Sequence, residues 1–213
     1  MSAYYSAARL FASGCFGLLT GWDVRGRQHI PREGGLLVAS NHISFWDPPM
    51  VGSALPREVH FLAKEELFRT PGLGWLIRSL NSIPIRRGVA DLSGLARALE
   101  VLRQGEALLM FPEGSRMRDG ELHPSRPGVG MMAVQADVPI VPCYISGSNR
   151  QKQWWNRRVR VRITFGAPRT WRELAGDGEA TGRALYQKVG DGVMRDIAAL
   201  RADQEASASR GAA

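Results

Sequence analysis

Two short polar segments carry the residues best suited to chemistry, and each follows an apolar run. Asn41-His42-Ile43-Ser44-Phe45-Trp46-Asp47 follows Leu36-Leu37-Val38-Ala39; Phe111-Pro112-Glu113-Gly114-Ser115-Arg116 follows Ala107-Leu108-Leu109-Met110. A neutral imidazole can take the proton of a hydroxyl as that hydroxyl attacks an ester or thioester. A neighbouring carboxylate then holds the ring tautomer and stabilises the imidazolium. Base catalysis of this kind contributes roughly 10²–10⁴-fold. An arginine such as Arg116 holds a phosphate through two parallel N–H bonds. Base and anion site together suit acyl transfer to a hydroxyl of a phosphate-bearing substrate.

These groups act together only if the fold converges them. Short apolar runs bounded by turn residues read as buried strands. Were the two strands parallel neighbours, both segments would leave the carboxyl edge of one sheet, where open α/β sheets bind ligands. His42 and Asp47 are five apart, which on a regular helix separates them by about 140°. Residues 43–46 must therefore turn, with Asp47 capping the helix that Pro48 and Pro49 begin. The plainer alternative is that Asp47 only caps and His42 is an ordinary strand-end residue. Ser44 is too near His42 to be a nucleophile. Gly114 permits close backbone approach or positive φ. Lys64, Arg86 and Arg87 also follow apolar segments; each alone reads as a solvated charge, and sequence does not reveal whether they converge.

Strand, helix and strand alternate through the middle of the chain, which implies right-handed crossovers between parallel strands. The expected fold class is α/β: a single domain with a mixed, largely parallel sheet flanked by helices, preceded by a short amphipathic helix. Trp22 to Gly35 reads as a strand followed by a turn, and further strands are expected near 36–40, 59–63, 83–85, 107–111 and 140–145. Leu92, Leu95, Leu99 and Leu102 form one face of a helix, with Gly105 as its stop. Met131 to Ala136 reads as a short helix. Arg158, Arg160, Arg162 and Thr164 alternate with Val159, Val161, Ile163 and Phe165, the pattern of a half-buried strand with a basic outer face. Leu185, Val189, Val193, Ile197 and Leu200 space a closing helix. The organisation expected is residues 1–21 as the amphipathic helix, 22–203 as the catalytic domain and 204–213 as a frayed tail.

Within the first helix Tyr4, Ala8, Phe11, Cys15 and Leu18 or Leu19 share one face, and Ser2, Ser6, Arg9 and Ser13 the other. The apolar face packs on the domain or lies in a lipid headgroup layer with tyrosine anchors. No segment reaches the roughly 20 apolar residues needed to span a bilayer, and Leu10 to Leu19 lacks the basic flank of a signal peptide. Net charge is +8, which favours a polyanionic partner: nucleic acid, an anionic membrane or a phosphorylated substrate. Trp154-Trp155 beside Lys152, Arg157 and Arg158 reads equally as a docking surface or as core. Two cysteines, Cys15 and Cys143, make no disulfide framework, in keeping with a reducing compartment. No metal site is indicated, because His29, His60 and His123 lack ligand-like partners.

Four blocks in order resemble the lysophosphatidic acid (1-acyl-glycerol-3-phosphate) acyltransferases, the PlsC-like branch of the glycerolipid acyltransferases. Asn41 to Asp47 is similar to the first block. Lys64-Glu65-Glu66-Leu67 with Ile83-Pro84-Ile85-Arg86-Arg87 resembles the second, Phe111 to Arg116 the third, and Val138-Pro139-Ile140-Val141-Pro142 the fourth. The coverage runs from about Val24 to Gly147. The resemblance implies His42 as general base with Asp47 as its partner. It implies phosphate binding by Lys64, Arg86, Glu113, Gly114 and Arg116, and acyl-donor binding around Pro142. It implies a lysophospholipid acceptor, acyl-CoA or acyl carrier protein as co-substrate, no cofactor, and a peripheral or monotopic seat on the cytoplasmic face of the membrane. Ser115 replaces the commoner Thr, Met117 a common Ser, and Asn81 a frequent Gly; Ser125-Arg126-Pro127-Gly128 replaces a Phe-Lys-x-Gly segment. These departures bear on acceptor choice more than on chemistry. The alternatives are acylation of another lysolipid, such as lyso-ornithine lipid or a lysophospholipid with a full headgroup, and a thioesterase or esterase using water. A basic membrane- or nucleic-acid-binding module accounts for the charge but leaves the four blocks unexplained, so no nucleic-acid partner is expected.

Overall fold

The computed structural model describes residues 3–86, 91–154 and 159–210. Seven strands make one sheet: β1 (Asp23–Arg25), β2 (Leu36–Ser40), β3 (His60–Lys64), β4 (Ser82–Ile85), β5 (Ala107–Met110), β6 (Ile140–Ser146) and β7 (Arg162–Phe165). Their order is β1-β7-β6-β2-β5-β3-β4. All neighbouring pairs are parallel except β6 and β7, so the sheet is mixed and largely parallel, as expected.

The helices are α1 (Ala3–Thr20), α2 (Asp47–Ala54), α3 (Leu73–Ser79), α4 (Leu92–Arg103), α5 (Gly128–Ala136), α6 (Trp171–Ala175) and α7 (Gly182–Arg210). They cover both faces of the sheet, which explains why β2 is apolar at nearly every position. Its side chains alternate: Leu36 and Val38 join the core shared with Phe16, Met50 and Leu55, while Leu37 and Ala39 join the core shared with Leu102, Met132 and Val189. That is the two-residue period of a strand buried on both sides. The spacing read for the closing helix holds, with Val189, Val193 and Ile197 fully buried. Gly130 lets α5 lie directly on α7, since a Cβ there would meet the Tyr186 carbonyl oxygen at 2.0 Å. Asn81 has φ 60, a left-handed conformation that Asn tolerates where Gly is usual.

Several expectations are corrected. The tail does not fray after residue 203: α7 continues to Arg210, because Gln204 is buried and bonds both Ser146 and Thr164. Leu92 is 75% exposed; it stands in the first turn of α4, beside the Asp91 cap, rather than on the core face. The strand expected over 158–165 begins at Arg162, and Arg158 lies outside the described residues.

The first helix packs on the domain through a mixed face: Tyr5 and Phe16 are buried, while Arg9 donates to the Leu55 carbonyl and Ser13 to the Ser53 carbonyl at the end of α2. The stripe of Tyr4, Phe11 and Leu18 faces outward, 48%, 75% and 70% exposed. Of the two readings of that apolar face, packing on the domain does not hold for Phe11, while Tyr4 is half exposed with its hydroxyl on Ser79.

Candidate active site

β2 and β5 are parallel and adjacent, pairing Ala39 with Met110. Asn41-His42 and Phe111 to Glu113 therefore leave the same carboxyl edge side by side. β6 is the other neighbour of β2 and delivers Ser148 to the same place. Asn41 continues the β2–β6 ladder with its side chain, donating to the Ile145 carbonyl at 3.0 Å and accepting from the Ile145 N–H at 2.8 Å. This sets the height at which His42 leaves the sheet.

His42 and Asp47 meet through the turn that their spacing requires. The His42 Nδ1 lies 2.9 Å from Asp47 Oδ2, and the same oxygen accepts the Ile43 and Ser44 N–H groups at 2.7 Å each. Asp47 Oδ1 accepts the Ser148 hydroxyl. Asp47 is thus not the helix cap expected of it. It is the first residue of α2, Trp46 occupies the cap position, and the carboxylate folds back over the preceding turn. With four donors and no solvent exposure, its carboxyl group is fixed in place as the orienting partner of the imidazole. Because a carboxylate accepts, Nδ1 carries the proton and Nε2 is left as the basic nitrogen. Phe111 stacks on the ring at 4.1 Å between centroids and 21° between planes, which sets its tilt. Ser44 accepts from Gln151 Nε2 at 2.9 Å and from the Trp46 N–H at 3.2 Å, a structural use of its hydroxyl.

Glu113 takes a different place from the one expected. Its carboxylate is 2% exposed, and Oε2 accepts the His42 backbone N–H at 2.8 Å. Burial pushes it up to about 7, against the opposing N–H groups of His42 and His123. A buried carboxylate engaged in this way is a poor phosphate ligand; it bolts the β5 exit to the His42 turn. The Met117 N–H adds a second bolt on the His42 carbonyl at 2.7 Å. Gly114 has φ 74 and lies under Arg126, whose Cδ would be 2.7 Å from a Cβ at that position.

The raised Glu113 gives a testable pH dependence. Its folded value lies above the ordinary 4.5, so the favourable protonated state is fully present below that value and is lost as pH rises through about 7. Stability should fall across this window by up to on the order of 3 kcal/mol. Glu113→Gln keeps an acceptor for the His42 N–H and removes the ionisation. Thermal midpoints measured from pH 4.5 to 7.5 should be flatter for the variant than for the parent; parallel curves would exclude Glu113 as the source.

The expected cations are not all gathered. Arg116 is exposed, its guanidinium 6.0 Å from the Phe45 ring on the His42 turn, so it borders the dyad. Lys64 ends β3, one strand beyond β5 on the same edge. Arg86 follows β4, three strand spacings from β2 or roughly 14 Å, and lies 3.9 Å from both Glu65 and Asp91. Pro142 is buried in mid-strand β6 with its ring against Gly166, so its side chain does not reach the edge. Arg87 lies outside the described residues. Trp154 is core, 8% exposed with its indole N–H on the Gly147 carbonyl and its ring edge-on to Trp46; Trp155, Arg157 and Arg158 are not described. Sequence reading missed Asn41, Phe111 as a ring partner, and Ser148. The rule that polar residues just past apolar strands are candidates would have flagged Ser148, two residues beyond β6.

A family model described as Acyltransferase matches residues 21–146. The chain is 25% identical to the 1-acyl-sn-glycerol-3-phosphate acyltransferase of Bacillus subtilis, over 70% of this chain and 73% of that one. It is 33% identical to the enzyme of the same name from Streptococcus pneumoniae, over 69% and 57%. It is 35% identical to the lyso-ornithine lipid O-acyltransferase of Pseudomonas aeruginosa, over 59% and 48%, so it spans only about half of that relative. The crystal structure of the 1-acyl-sn-glycerophosphate acyltransferase PlsC from Thermotoga maritima superposes with a TM-score of 0.71 at 29% identity, covering 93% of this chain and 80% of that one.

Proposed function

The chain belongs to the acyltransferase family, and from that premise we propose that it moves a fatty acyl group from acyl-CoA or acyl carrier protein to the 2-hydroxyl of 1-acyl-glycerol-3-phosphate, giving phosphatidic acid. The observation that carries this reading is the His42–Asp47 pair at the carboxyl edge, bordered by Arg116. His42 Nε2 takes the hydroxyl proton as the acceptor oxygen bonds to the thioester carbonyl carbon. Asp47 steadies the imidazolium. The tetrahedral intermediate then collapses, the carbon–sulfur bond breaks, and the thiolate leaves with the proton that His42 had taken. No enzyme serine is acylated. The acceptor phosphate is held chiefly by Arg116, with Lys64 further along the edge and Arg86 beyond it.

The outward stripe of α1 supports a seat on the membrane surface, with Phe11 and Leu18 in the headgroup layer. No helix among the described residues is long and apolar enough to cross a membrane. The thioester donors place the reaction on the cytoplasmic face.

The test is purified enzyme with labelled acyl-CoA and acyl carrier protein donors, offered lysophosphatidate and lyso-ornithine lipid. Labelled phosphatidic acid is the expected product; labelled free fatty acid alone would mean a thioesterase. Similarity to the Pseudomonas aeruginosa enzyme favours lyso-ornithine lipid as the second reading. Direct comparison of the two acceptors separates these readings. Arg116→Ala should raise the KM for lysophosphatidate about tenfold or more with little change for the donor; an unchanged acceptor KM would remove Arg116 from phosphate binding.

A further inference from the structure

Along the free edge of β4, between α3 and α4, runs a cleft of about 520 Å³. Among the described residues it is lined by Arg69, Arg78, Arg86 and Arg97, with Glu65 and Asp91 as the carboxylates, so arginines outnumber acids two to one. Glu65 is already shared by Arg69 at 3.1 Å and Arg86 at 3.9 Å. Asp91 is committed to the Arg86 and Gly94 N–H groups and the Ser93 hydroxyl at the start of α4. Arg78 lies over the Phe68 ring at 5.4 Å, and Arg97 donates to the Pro84 carbonyl at 3.3 Å; neither contact neutralises a guanidinium.

A second observation points to the kind of anion. The helix carrying Arg78 also presents Trp75 and Leu76, 67% and 42% exposed. Its end is joined to α1 by the hydrogen bond between the Tyr4 and Ser79 hydroxyls, 3.1 Å long. Trp75 and Leu76 thus sit on a helix tied at its end to the half-exposed Tyr4 of α1. An indole and a leucine beside arginines match a bilayer interface, where Trp sits at headgroup depth and cations meet anionic lipid.

We propose that this cleft is a headgroup site for an anionic membrane phospholipid, its phosphate held between Arg78 and Arg97 while Trp75 and Leu76 enter the headgroup layer. The inference rests on the membrane seat proposed above for α1. Arg78 and Arg97 stand apart from the β2–β5 exit, on the helices beside edge strand β4, and Arg86 is the one cleft residue shared with the acceptor site proposed above. Two separated attachments, α1 and the cleft, fix the orientation of the domain on the bilayer, which one helix alone would leave free to rock.

Co-sedimentation with vesicles of phosphatidylcholine alone, and of phosphatidylcholine mixed with phosphatidylglycerol, tests it. The parent should prefer the mixed vesicles. Arg78→Ala/Arg97→Ala should lose about tenfold of that preference, bind neutral vesicles as the parent does, and keep its KM values for a water-soluble short-chain lysophosphatidate and for acyl-CoA. An undiminished preference overturns the proposal. A raised KM for either soluble substrate also overturns it, by assigning the cleft to that substrate. Phe11→Ser/Leu18→Ser should weaken binding to both vesicle types; if it does not, the α1 seat fails, a result distinguishable from failure of the cleft.

Discussion

His42→Ala should lower kcat by about 10²–10⁴-fold and leave a folded protein. Removing the imidazole takes away the group that accepts the acceptor's proton, and no neighbour replaces it. Asp47 is engaged by four donors, and Ser44 is tied to Gln151 and the Trp46 N–H. The fold should survive because the anchors of the turn do not depend on the ring. The His42 N–H still reaches Glu113, its carbonyl still accepts from Met117, and Asp47 keeps three of its donors. The stability cost is the lost stacking on Phe111 and one hydrogen bond, on the order of 1–2 kcal/mol. Acyl transfer at saturating donor and acceptor, with circular dichroism as the folding control, checks the prediction. Full turnover by the alanine variant would remove His42 from the mechanism.

Asp47→Asn should cost nearly as much activity through another route. The carboxylate holds the Nδ1–H tautomer, so that Nε2 is the base, and it stabilises the imidazolium that forms. An amide has no charge to offer. If its oxygen stays on the side of the three N–H donors, its NH₂ faces the Ser148 hydroxyl, which can turn to accept. The turn then survives with a less basic histidine. If the amide rotates, its NH₂ faces Nδ1 and the ring takes the unproductive tautomer. Either way kcat should fall by roughly 10²–10⁴-fold, with KM for both substrates changed far less. A variant with normal kcat would reduce Asp47 to a structural anchor. Ser148→Ala provides the graded control: it deletes one bond to the distal oxygen and leaves the charge, so its loss of activity should be much smaller than that of Asp47→Asn.

Much of this site is legible in sequence because it is built from local rules. Leu36 to Ala39 and Ala107 to Met110 are apolar throughout and bounded by turn residues, so they read as the buried strands they form. The five-residue spacing of His42 and Asp47 excludes a helix face, and a turn joins them. Glu113 shows where local rules stop. An acidic residue after a strand reads as an exposed ligand, yet its carboxylate lies inward on the His42 N–H, 71 positions away in sequence. Ser148 closes the far side of Asp47 from 101 positions away, a contact made only by the β2–β6 pairing. Arg86 satisfied the same strand-end rule as Arg116 but emerges three strands from the base, since strand order is not written in strand sequence.

The first helix marks the boundary most sharply. Its periodicity establishes that Tyr4, Phe11 and Leu18 share a face, because side-chain direction along a helix follows from the 3.6-residue turn alone. Which way that face points is a tertiary matter. It depends on Tyr5 and Phe16 being buried against the domain and on Arg9 and Ser13 finding carbonyls at the end of α2, where a helix leaves its last turn without internal donors. The sequence by itself determined the strand-end motifs, their order and the family they belong to. Only the tertiary structure decided that Glu113 is a buried bolt, that Arg86 stands apart from the base, and that the apolar face of α1 looks outward, because each of these depends on contacts between segments far apart in the chain.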